Sequence, residues 1–278
     1  MEKHAFLIIA HNNFGILKLL LQGLDHPNHD VYLHIDKKVK HFDFRAFQNV
    51  CQKSRVFFCD RRINVKWGHQ SQVLCEMLLF ETAYQKREYA WFHLLSGVDF
   101  PLVTAEELDA FFAGNKKSYL SIAEQTTRQD RDRISYYRFR NERIDRLCLA
   151  IQKRLGIRRV KNLEIKKGAN WASLTEKSAG ALMEHKDLIR KMTLASSCAD
   201  EVYKQTVLWN FARDTVFYEP CRGNLRYTDW SAGGNSPKTL DETDYEKIVS
   251  SQALFARKLD EKNSAKLIRM LLCDKGIL

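Results

Sequence analysis

Two adjacent carboxylates, Asp200 and Glu201, precede a predicted helix in the stretch ASSCADEVYKQTVLWNF, residues 195–211. Carboxylates at a helix start can cap free backbone N–H groups, hold a metal ion or take a proton from a substrate. The positive end of the helix alone also favours them there. The two residue types by themselves leave all of these uses open.

Three further polar side chains follow predicted strands in the first half of the chain. His11 follows the apolar run HAFLIIA, Asp36 follows HDVYLHI, and Asp99 comes shortly after YAWFHLLS. In an open α/β sheet, ligands bind beyond the carboxyl ends of the strands. These side chains are therefore expected to lie at one ligand site.

Several common catalytic motifs are missing from the sequence. It contains no G-x-G-x-x-G, no G-x-x-x-x-G-K-[ST] and no G-x-S-x-G, which argues against dinucleotide, P-loop and serine-hydrolase chemistry. The literal D-x-D, Asp130 to Asp132, lies in a charge run and does not follow a buried strand. Lys37 and Lys38 follow Asp36 and would repel a cation. We therefore predict no metal site and no cofactor.

The hydrophobic pattern predicts the elements that must position these residues. Strand and helix alternate through residue 113, which predicts an α/β fold with a mostly parallel central sheet and helices on both faces. Predicted strands cover residues 4–11, 29–36, 54–60, 89–96 and 168–175, and predicted helices 15–24, 42–50, 69–86, 175–185 and 260–273. We expect one domain over residues 1–278, with a basic helical insertion at about 125–167.

The chain is strongly basic, with 45 Lys and Arg against 34 Asp and Glu and a net charge of +11. This excess favours an anionic partner, such as nucleic acid, an anionic membrane face or a phosphorylated substrate. The seven cysteines show no C-x-x-C spacing, and no uncharged apolar run reaches about 18 residues. We expect reduced thiols and a cytoplasmic protein, peripherally bound to the inner membrane face.

Seven short blocks occur in a fixed order along residues 4–265. They are YLHIDKK, INVKWGHQS, HLLSGVDFPL, GANWASLT, CADEVYKQTVL, NLRYTDW and LFARKLDEK. In these blocks the chain resembles glycosyltransferase family 14, the core 2/I-branching β-1,6-N-acetylglucosaminyltransferases and peptide O-xylosyltransferases. The last two blocks are more similar to the xylosyltransferases than to the other branch of the family. The resemblance implies a GT-A-type fold, a nucleotide-sugar donor, inversion at the anomeric carbon and catalysis without a metal.

The resemblance also implies roles on the catalytic and diphosphate side of the site. Glu201 corresponds to the base that deprotonates the acceptor hydroxyl, which leaves Asp200 as the helix cap. Arg257 and Lys258 correspond to a basic pair that compensates the charge of the leaving diphosphate, work that a metal often does. Arg226 matches an arginine that either reaches the diphosphate or braces the site.

Further roles follow from the same resemblance. Asp36 corresponds to a residue that contacts the nucleoside, and His11 is expected beside the same pocket. Asp99 and Trp171 are expected on the acceptor side, where an aromatic face can stack on a sugar. Trp67 and Gly68 resemble a W-G-G motif in which His69 replaces the second glycine, so the geometry of that loop stays open.

These observations predict an inverting, metal-independent glycosyltransferase of bacterial origin that acts in cell-surface polysaccharide or glycan synthesis. The donor is expected to be a UDP-sugar carrying xylose or N-acetylglucosamine, with galactose and glucose left open, and the acceptor a saccharide or glycoconjugate. One alternative is a nucleic-acid-binding protein that uses residues 128–167, although no RNA- or DNA-binding signature is present. The other is a transferase-like protein that only binds saccharide.

Overall fold

The part of the chain that the structure describes contains ten strands, of which the longest are apolar runs. The computed structural model describes residues 2–139, 141–217, 223–234 and 236–275. The strands are β1 (His4–Ala10), β2 (His29–Ile35), β3 (Arg55–Phe58), β4 (Trp91–Ser96), β5 (Phe100–Pro101), β6 (Ser118–Leu120), β7 (Ala172–Thr175), β8 (Val216–Phe217), β9 (Arg226–Thr228) and β10 (Phe255–Arg257).

Most of the helices lie close to the predicted positions, but the sequence predicted none at Lys186–Thr193 or Tyr245–Ser250. The described helices are α1 (Phe14–Gly23), α2 (Phe44–Gln48), α3 (Gln70–Tyr84), α4 (Ala105–Phe112), α5 (Arg128–Ser135), α6 (Glu142–Arg154), α7 (Glu176–Glu184), α8 (Lys186–Thr193), α9 (Tyr203–Phe211), α10 (Tyr245–Ser250) and α11 (Ala265–Lys275). None of the described helices is both long enough and apolar enough to cross a membrane.

The central sheet has seven strands in the order β3-β2-β1-β4-β7-β6-β8. All neighbouring strands in it are parallel except the two pairs that involve β7. In β1 and β2 the first residues, His4 and His29, are paired, so the two strands also end together. The mostly parallel sheet predicted from the sequence is confirmed.

Helices cover both faces of this sheet. Ala5, Leu7 and Ile9 of β1 belong to one buried cluster, together with residues of α3, α7 and α9. Phe6 and Ile8 alternate with them and belong to a second cluster, together with residues of α1 and α4. Because side chains along a strand alternate between faces, a strand that is apolar throughout needs cover on both sides.

A second sheet, which the sequence pattern did not predict, has the order β5-β10-β9. In it β9 and β10 are parallel and pair Phe255 with Arg226. A third apolar cluster, containing Leu259 and residues of α11, packs against this sheet. The small sheet brings two of the predicted site arginines, Arg226 and Arg257, onto neighbouring strands.

The basic segment at 125–167 contains α5 and α6. Ile134 of α5 and Val160, which follows α6, are buried in the same cluster as β1. Much of α6 is instead exposed to solvent. The six cysteines among the described residues are free, and Cys221 lies outside those residues.

Candidate active site

Asp36 lies at the carboxyl end of β2, where the sequence placed it. Its carboxylate is 2% exposed and accepts hydrogen bonds from the backbone N–H groups of Lys38 (2.8 Å) and Val65 (3.2 Å). The Lys38 ammonium lies 3.5 Å from the same carboxylate. Asp36 therefore shapes the loops around it, and the lysine that was expected to repel a cation neutralises this acid.

His11 lies at the end of β1 within electrostatic reach of this group. Burial and the positive charge of Lys38 lower the pKa of His11, and Lys258 lowers it further, while Asp36 opposes the shift. Among the described residues, the Lys258 ammonium has no ion-pair partner. Three residues predicted on the donor side, His11, Asp36 and Lys258, thus share one region with a cation free to meet an anion.

Arg257, at the end of β10, connects this region to Trp171. The guanidinium carbon lies 4.2 Å from the centre of the Trp171 ring, within the range of a cation–π contact. The Nε atom lies 3.7 Å from Oδ1 of Asp99, and the Arg257 side chain is 10% exposed. A planar cation is held here between an aromatic face and a carboxylate.

Asp99 is completely buried beside Arg257. Its Oδ2 accepts a hydrogen bond from the Ser96 backbone N–H at 3.0 Å, and burial raises the pKa of Asp99 although Arg257 opposes that shift. The carboxylate therefore lies inside the wall of the site. Its predicted place on the acceptor side stays a prediction, and so does that of Trp171, which is half-buried.

Arg226 of β9 braces the structure from inside. Its guanidinium donates to the Ser173 hydroxyl at 2.9 Å and to the backbone oxygens of Leu94 (3.2 Å) and Ala172 (3.0 Å). Burial lowers the pKa of Arg226 to about 9. These contacts tie the small sheet to β4 and β7, and they favour the bracing role over contact with the diphosphate.

Glu201 lies in a short 3-10 turn, Ala199–Glu201, that precedes α9. Its side chain is 36% exposed, and its Oε2 accepts a hydrogen bond from Arg133 at 2.7 Å. The Lys167 ammonium lies 3.9 Å from the same oxygen. The described residues offer Oε1 no hydrogen bond, so that oxygen is available to a substrate hydroxyl.

The backbone of Glu201 is fixed by the loop before β7. Its carbonyl oxygen accepts a hydrogen bond from the Gly168 N–H at 2.9 Å. Position 168 requires glycine, because a Cβ atom there would lie 1.7 Å from the backbone oxygen of Ser121. Since Trp171 follows in the same loop, the chain physically links Glu201 to the Arg257 contact.

Asp200 does not cap α9, so that part of the sequence prediction is wrong. The residue before α9 is Val202, and no side chain caps the helix. Asp200 instead points into the protein, where burial and then the nearby Glu76 raise its pKa to about 7. Its Oδ1 has no hydrogen-bond partner among the described residues.

Behind the two carboxylates lies a buried polar network that sequence reasoning missed. The Lys204 ammonium is fully buried and contacts Glu76 at 2.6 Å and Asn170 at 2.5 Å. Tyr203 donates to the same Glu76 carboxylate at 2.9 Å. Lys204 lies three residues after Glu201, in a helix that also carries Gln205, Thr206 and Asn210. Because that helix mixes polar and apolar residues, its sequence gave no signal that Lys204 would be buried with a carboxylate partner.

The Trp67–His69 loop lies against the segment that leads to Glu201. Gly68 has a φ of +63°, which favours glycine, and its carbonyl accepts a hydrogen bond from the Cys198 N–H at 2.9 Å. His69 takes an extended conformation and caps α3 by accepting from the Ser71 N–H at 3.1 Å. The histidine that replaces the second glycine thus acts as a helix cap, and Trp67 is 68% exposed.

Basic side chains contact both acids of the literal D-x-D. Asp130 accepts a hydrogen bond from the backbone N–H of Thr127, the residue that caps α5, and lies 3.3 Å from Lys167, whereas Asp132 lies 2.5 Å from Lys153. Within the described residues, His4, His29 and Asp109 form the one cluster with metal-ligand spacing. It lies at the amino ends of β1 and β2, the opposite edge of the sheet from Asp36.

A family model confirms the family resemblance of the sequence blocks. The model of the Core-2/I-Branching enzyme matches residues 4–252 of the chain. The chain belongs to the Core-2/I-branching enzyme family. This family membership agrees with the resemblance found in the sequence blocks, and the observed α/β sheet agrees with the predicted fold class.

Curated relatives of this Core-2/I-branching family member include xylosyltransferases. Xylosyltransferase 2 of Canis lupus familiaris is 24% identical over 295 residues, which cover 96% of this chain and 33% of the relative. Xylosyltransferase 1 of Homo sapiens is 24% identical over 294 residues, which cover 96% of this chain and 30% of the relative. The chain therefore spans about one third of the length of these relatives.

Among solved structures, the chain is similar to mouse xyloside xylosyltransferase 1 in its apo form. The TM-score is 0.43 at 11% identity, and the match covers 92% of this chain and 97% of the other. The WbbM bifunctional glycosyltransferase apo structure gives a TM-score of 0.41 at 9% identity, covering 94% of this chain and 46% of the other.

Proposed function

We propose that this chain is an inverting, metal-independent glycosyltransferase that transfers a sugar from a UDP-sugar to an acceptor hydroxyl. Glu201 acts as the base, and Arg257 and Lys258 meet the diphosphate. One observation carries the proposal: the guanidinium of Arg257 lies against Trp171, in the loop whose Gly168 binds the backbone of Glu201. That contact couples the proposed donor side to the proposed base.

The proposed reaction exchanges one bond at the anomeric carbon for another. The acceptor oxygen attacks that carbon while its proton passes to the free Oε1 of Glu201. The bond from the carbon to the UDP oxygen breaks, and the electron pair leaves with UDP. A positioned carboxylate base contributes about 10²–10⁴-fold to such a step.

The departing diphosphate gains negative charge, which the proposed clamp offsets. Lys258 has no competing ion pair among the described residues, so its ammonium can meet phosphate oxygens directly. Arg257 is held by Trp171 and Asp99 before any ligand arrives. Such preorganised charges stabilise the transition state without costly rearrangement. Asp36 and His11, at the ends of β2 and β1, are proposed to contact the nucleoside and line its pocket.

We propose xylose or N-acetylglucosamine as the transferred sugar and a saccharide or glycoconjugate as the acceptor. The names of the curated relatives favour xylose, and the family name includes branching enzymes. Both residues proposed for the acceptor side, Asp99 and Trp171, lie next to Arg257. The exposed ring of Trp67 adds an aromatic face near the segment of Glu201.

A donor screen tests the proposal. The purified chain is incubated with UDP-xylose, UDP-N-acetylglucosamine, UDP-galactose and UDP-glucose, with and without saccharide acceptors, and released UDP is measured. We expect one of the first two donors to release UDP well above the rate of the Glu201→Gln variant. A protein that binds UDP-sugars with no release above that variant would be a saccharide-binding protein, which contradicts the proposal.

A further inference from the structure

Helix α6 exposes a continuous apolar stripe to solvent. Ile144, Leu147, Ile151 and Leu155, which directly follows the helix, are 51%, 63%, 47% and 66% exposed. Their spacing of three or four residues places them within roughly 80° of arc on an α-helix. We call these four residues the α6 stripe.

The side of α6 that faces the protein is polar. Its buried residues are Asp145 and Gln152. Asp145 accepts a hydrogen bond from Arg138 at 2.6 Å, and Gln152 bonds to both the backbone N–H (2.9 Å) and the carbonyl (3.0 Å) of Tyr137. A surface helix normally turns its apolar side inward. Here polar contacts hold the helix and leave its apolar side outward.

Three more exposed apolar side chains lie next to α6 in the sequence. Tyr137, Phe139 and Ile157 flank α6 and are 38%, 45% and 43% exposed. With the stripe they make seven of the fourteen large apolar side chains that are exposed among the described residues. Exposed apolar residues concentrated in this way, within residues 137–157, are typical of an interaction site.

Exposed arginines accompany the stripe. Arg143 and Arg154 follow one edge of it, roughly 60–80° from its centre, and Arg146 and Arg158 are also exposed. Glu142 is exposed too, but it lies 3.7 Å from Arg146. A helix with an apolar face, a charged face and low overall hydrophobicity is typical of helices that lie in a membrane interface. Because these arginines are positively charged, a membrane surface that complements them is anionic.

Helix α6 is linked to the proposed base through α5. Lys153 of α6 contacts Asp132 of α5 at 2.5 Å, and the next residue of α5, Arg133, holds Glu201. Docking of α6 would therefore fix α5, and through Arg133 the proposed base, relative to the docking surface.

We propose that the α6 stripe, with Arg143 and Arg154, docks on an anionic phospholipid bilayer and holds the active site over acceptors that the bilayer carries. The docking follows from the helix itself. Only the presentation of acceptors rests on the proposed glycosyltransferase function.

Vesicle flotation tests the docking. Wild-type protein is expected to float with phosphatidylcholine vesicles that contain about one third phosphatidylglycerol, and poorly with phosphatidylcholine alone. The double variant Leu147→Gln/Leu155→Gln should lower the partition coefficient on anionic vesicles at least about tenfold, since each leucine loses favourable burial. The matched control, Leu74→Gln/Val249→Gln, changes two exposed apolar residues on α3 and α10 and should leave partitioning unchanged.

The arginines give a second, independent readout. Arg143→Gln and Arg154→Gln should each weaken partitioning on the anionic vesicles about fivefold. Lys116→Gln and Lys117→Gln remove exposed charge elsewhere and should have little effect. Equal losses in both pairs would mean that diffuse charge drives binding, which would overturn the assigned surface.

Two further measurements separate the competing outcomes. If wild type sediments as a dimer that Leu147→Gln/Leu155→Gln dissociates, with vesicle partitioning unchanged, the stripe joins two copies and the proposal is wrong. UDP release from a UDP-sugar without acceptor is measured on the same variants. Lost vesicle binding with intact release supports docking, whereas vesicle binding without any release supports docking and overturns the proposed catalytic function.

Discussion

Arg133 of α5 donates a 2.7 Å hydrogen bond to Oε2 of Glu201 across 68 residues of sequence. The same arginine lies 3.5 Å from Asp130, and its side chain is 19% exposed. The basic segment thus contributes a residue that orients the proposed base. Sequence reasoning treated that segment as an insertion and assigned it no part in the site.

Arg133→Gln is expected to lower turnover about tenfold, because Glu201 loses the bond that aims it, worth roughly 1.5–3 kcal/mol. Arg133→Lys should restore part of the loss. Steady-state kinetics with the preferred UDP-sugar measures both, and the KM for the donor should change little. A change in KM alone would show that Arg133 acts on donor binding.

Glu201→Gln should bind UDP with near-normal affinity and lose about 10²-fold or more in turnover, because the amide cannot accept the acceptor's proton. Calorimetry with UDP measures the affinity, and initial rates of transfer measure the turnover. Glu246→Gln, an exposed carboxylate on α10, is the control. If Asp200→Asn abolishes turnover and Glu201→Gln does not, the roles of the adjacent pair are reversed.

Lys258→Ala should weaken UDP binding about tenfold or more, since a hydrogen bond to a charged group is worth roughly 1.5–3 kcal/mol. Titration calorimetry measures the loss, with Lys116→Ala and Lys117→Ala as exposed controls. Arg257→Ala should also destabilise the fold, because it leaves Asp99 buried without its cation. Similar losses of UDP affinity at Lys258 and in the controls would argue against a specific clamp.

Transfer should survive excess EDTA if Arg257 and Lys258 replace a cation at the diphosphate. Rates are compared with and without the chelator, followed by addition of Mn²⁺. Loss of activity that Mn²⁺ restores would contradict metal-independent transfer. Such a result would direct attention to Asp36, Asp130 and Asp132 as ligands, each of which now contacts a lysine.

The raised pKa of Asp200 predicts how the free energy of unfolding depends on pH. Because its folded pKa is raised from 3.8 to about 7, the folded chain holds more protons than the unfolded chain between those values. The contribution of Asp200 to the free energy of unfolding therefore falls as pH rises from about 4 to 7, by on the order of 4 kcal/mol. Asp200→Asn should remove this slope, and denaturant unfolding at pH 5 and 8 measures it. The exposed Asp187→Asn should keep the wild-type slope, and an unchanged slope in Asp200→Asn would contradict the assignment.

Local pattern predicted most of the central sheet. The apolar runs before His11 and Asp36 form β1 and β2, and the helix expected at 69–86 is observed as Gln70–Tyr84. The small sheet was missed because β5, β9 and β10 have two or three residues each. A strand that short carries no recognisable period, and partners that are distant in sequence stabilise it.

The adjacent acids Asp200 and Glu201 show the same limit of local sequence patterns at the level of single residues. The sequence located Asp200 and Glu201 before a helix, which is correct. It could not separate an acid whose pKa is raised from an acid bound to Arg133, because the pKa of Asp200 depends on Glu76 and the position of Glu201 on Arg133, and both partners are distant in sequence. The cap predicted for Asp200 failed for this reason.

The sequence by itself determined the class of fold, the family and the order of the blocks that carry the proposed chemistry, because periodicity and short motifs are local properties of a chain. Tertiary structure alone decided which charges meet. It buried Arg226 as a brace, set Arg257 against Trp171, and turned the apolar side of α6 outward. Each outcome depends on contacts between residues far apart in sequence, whose energies no local pattern encodes.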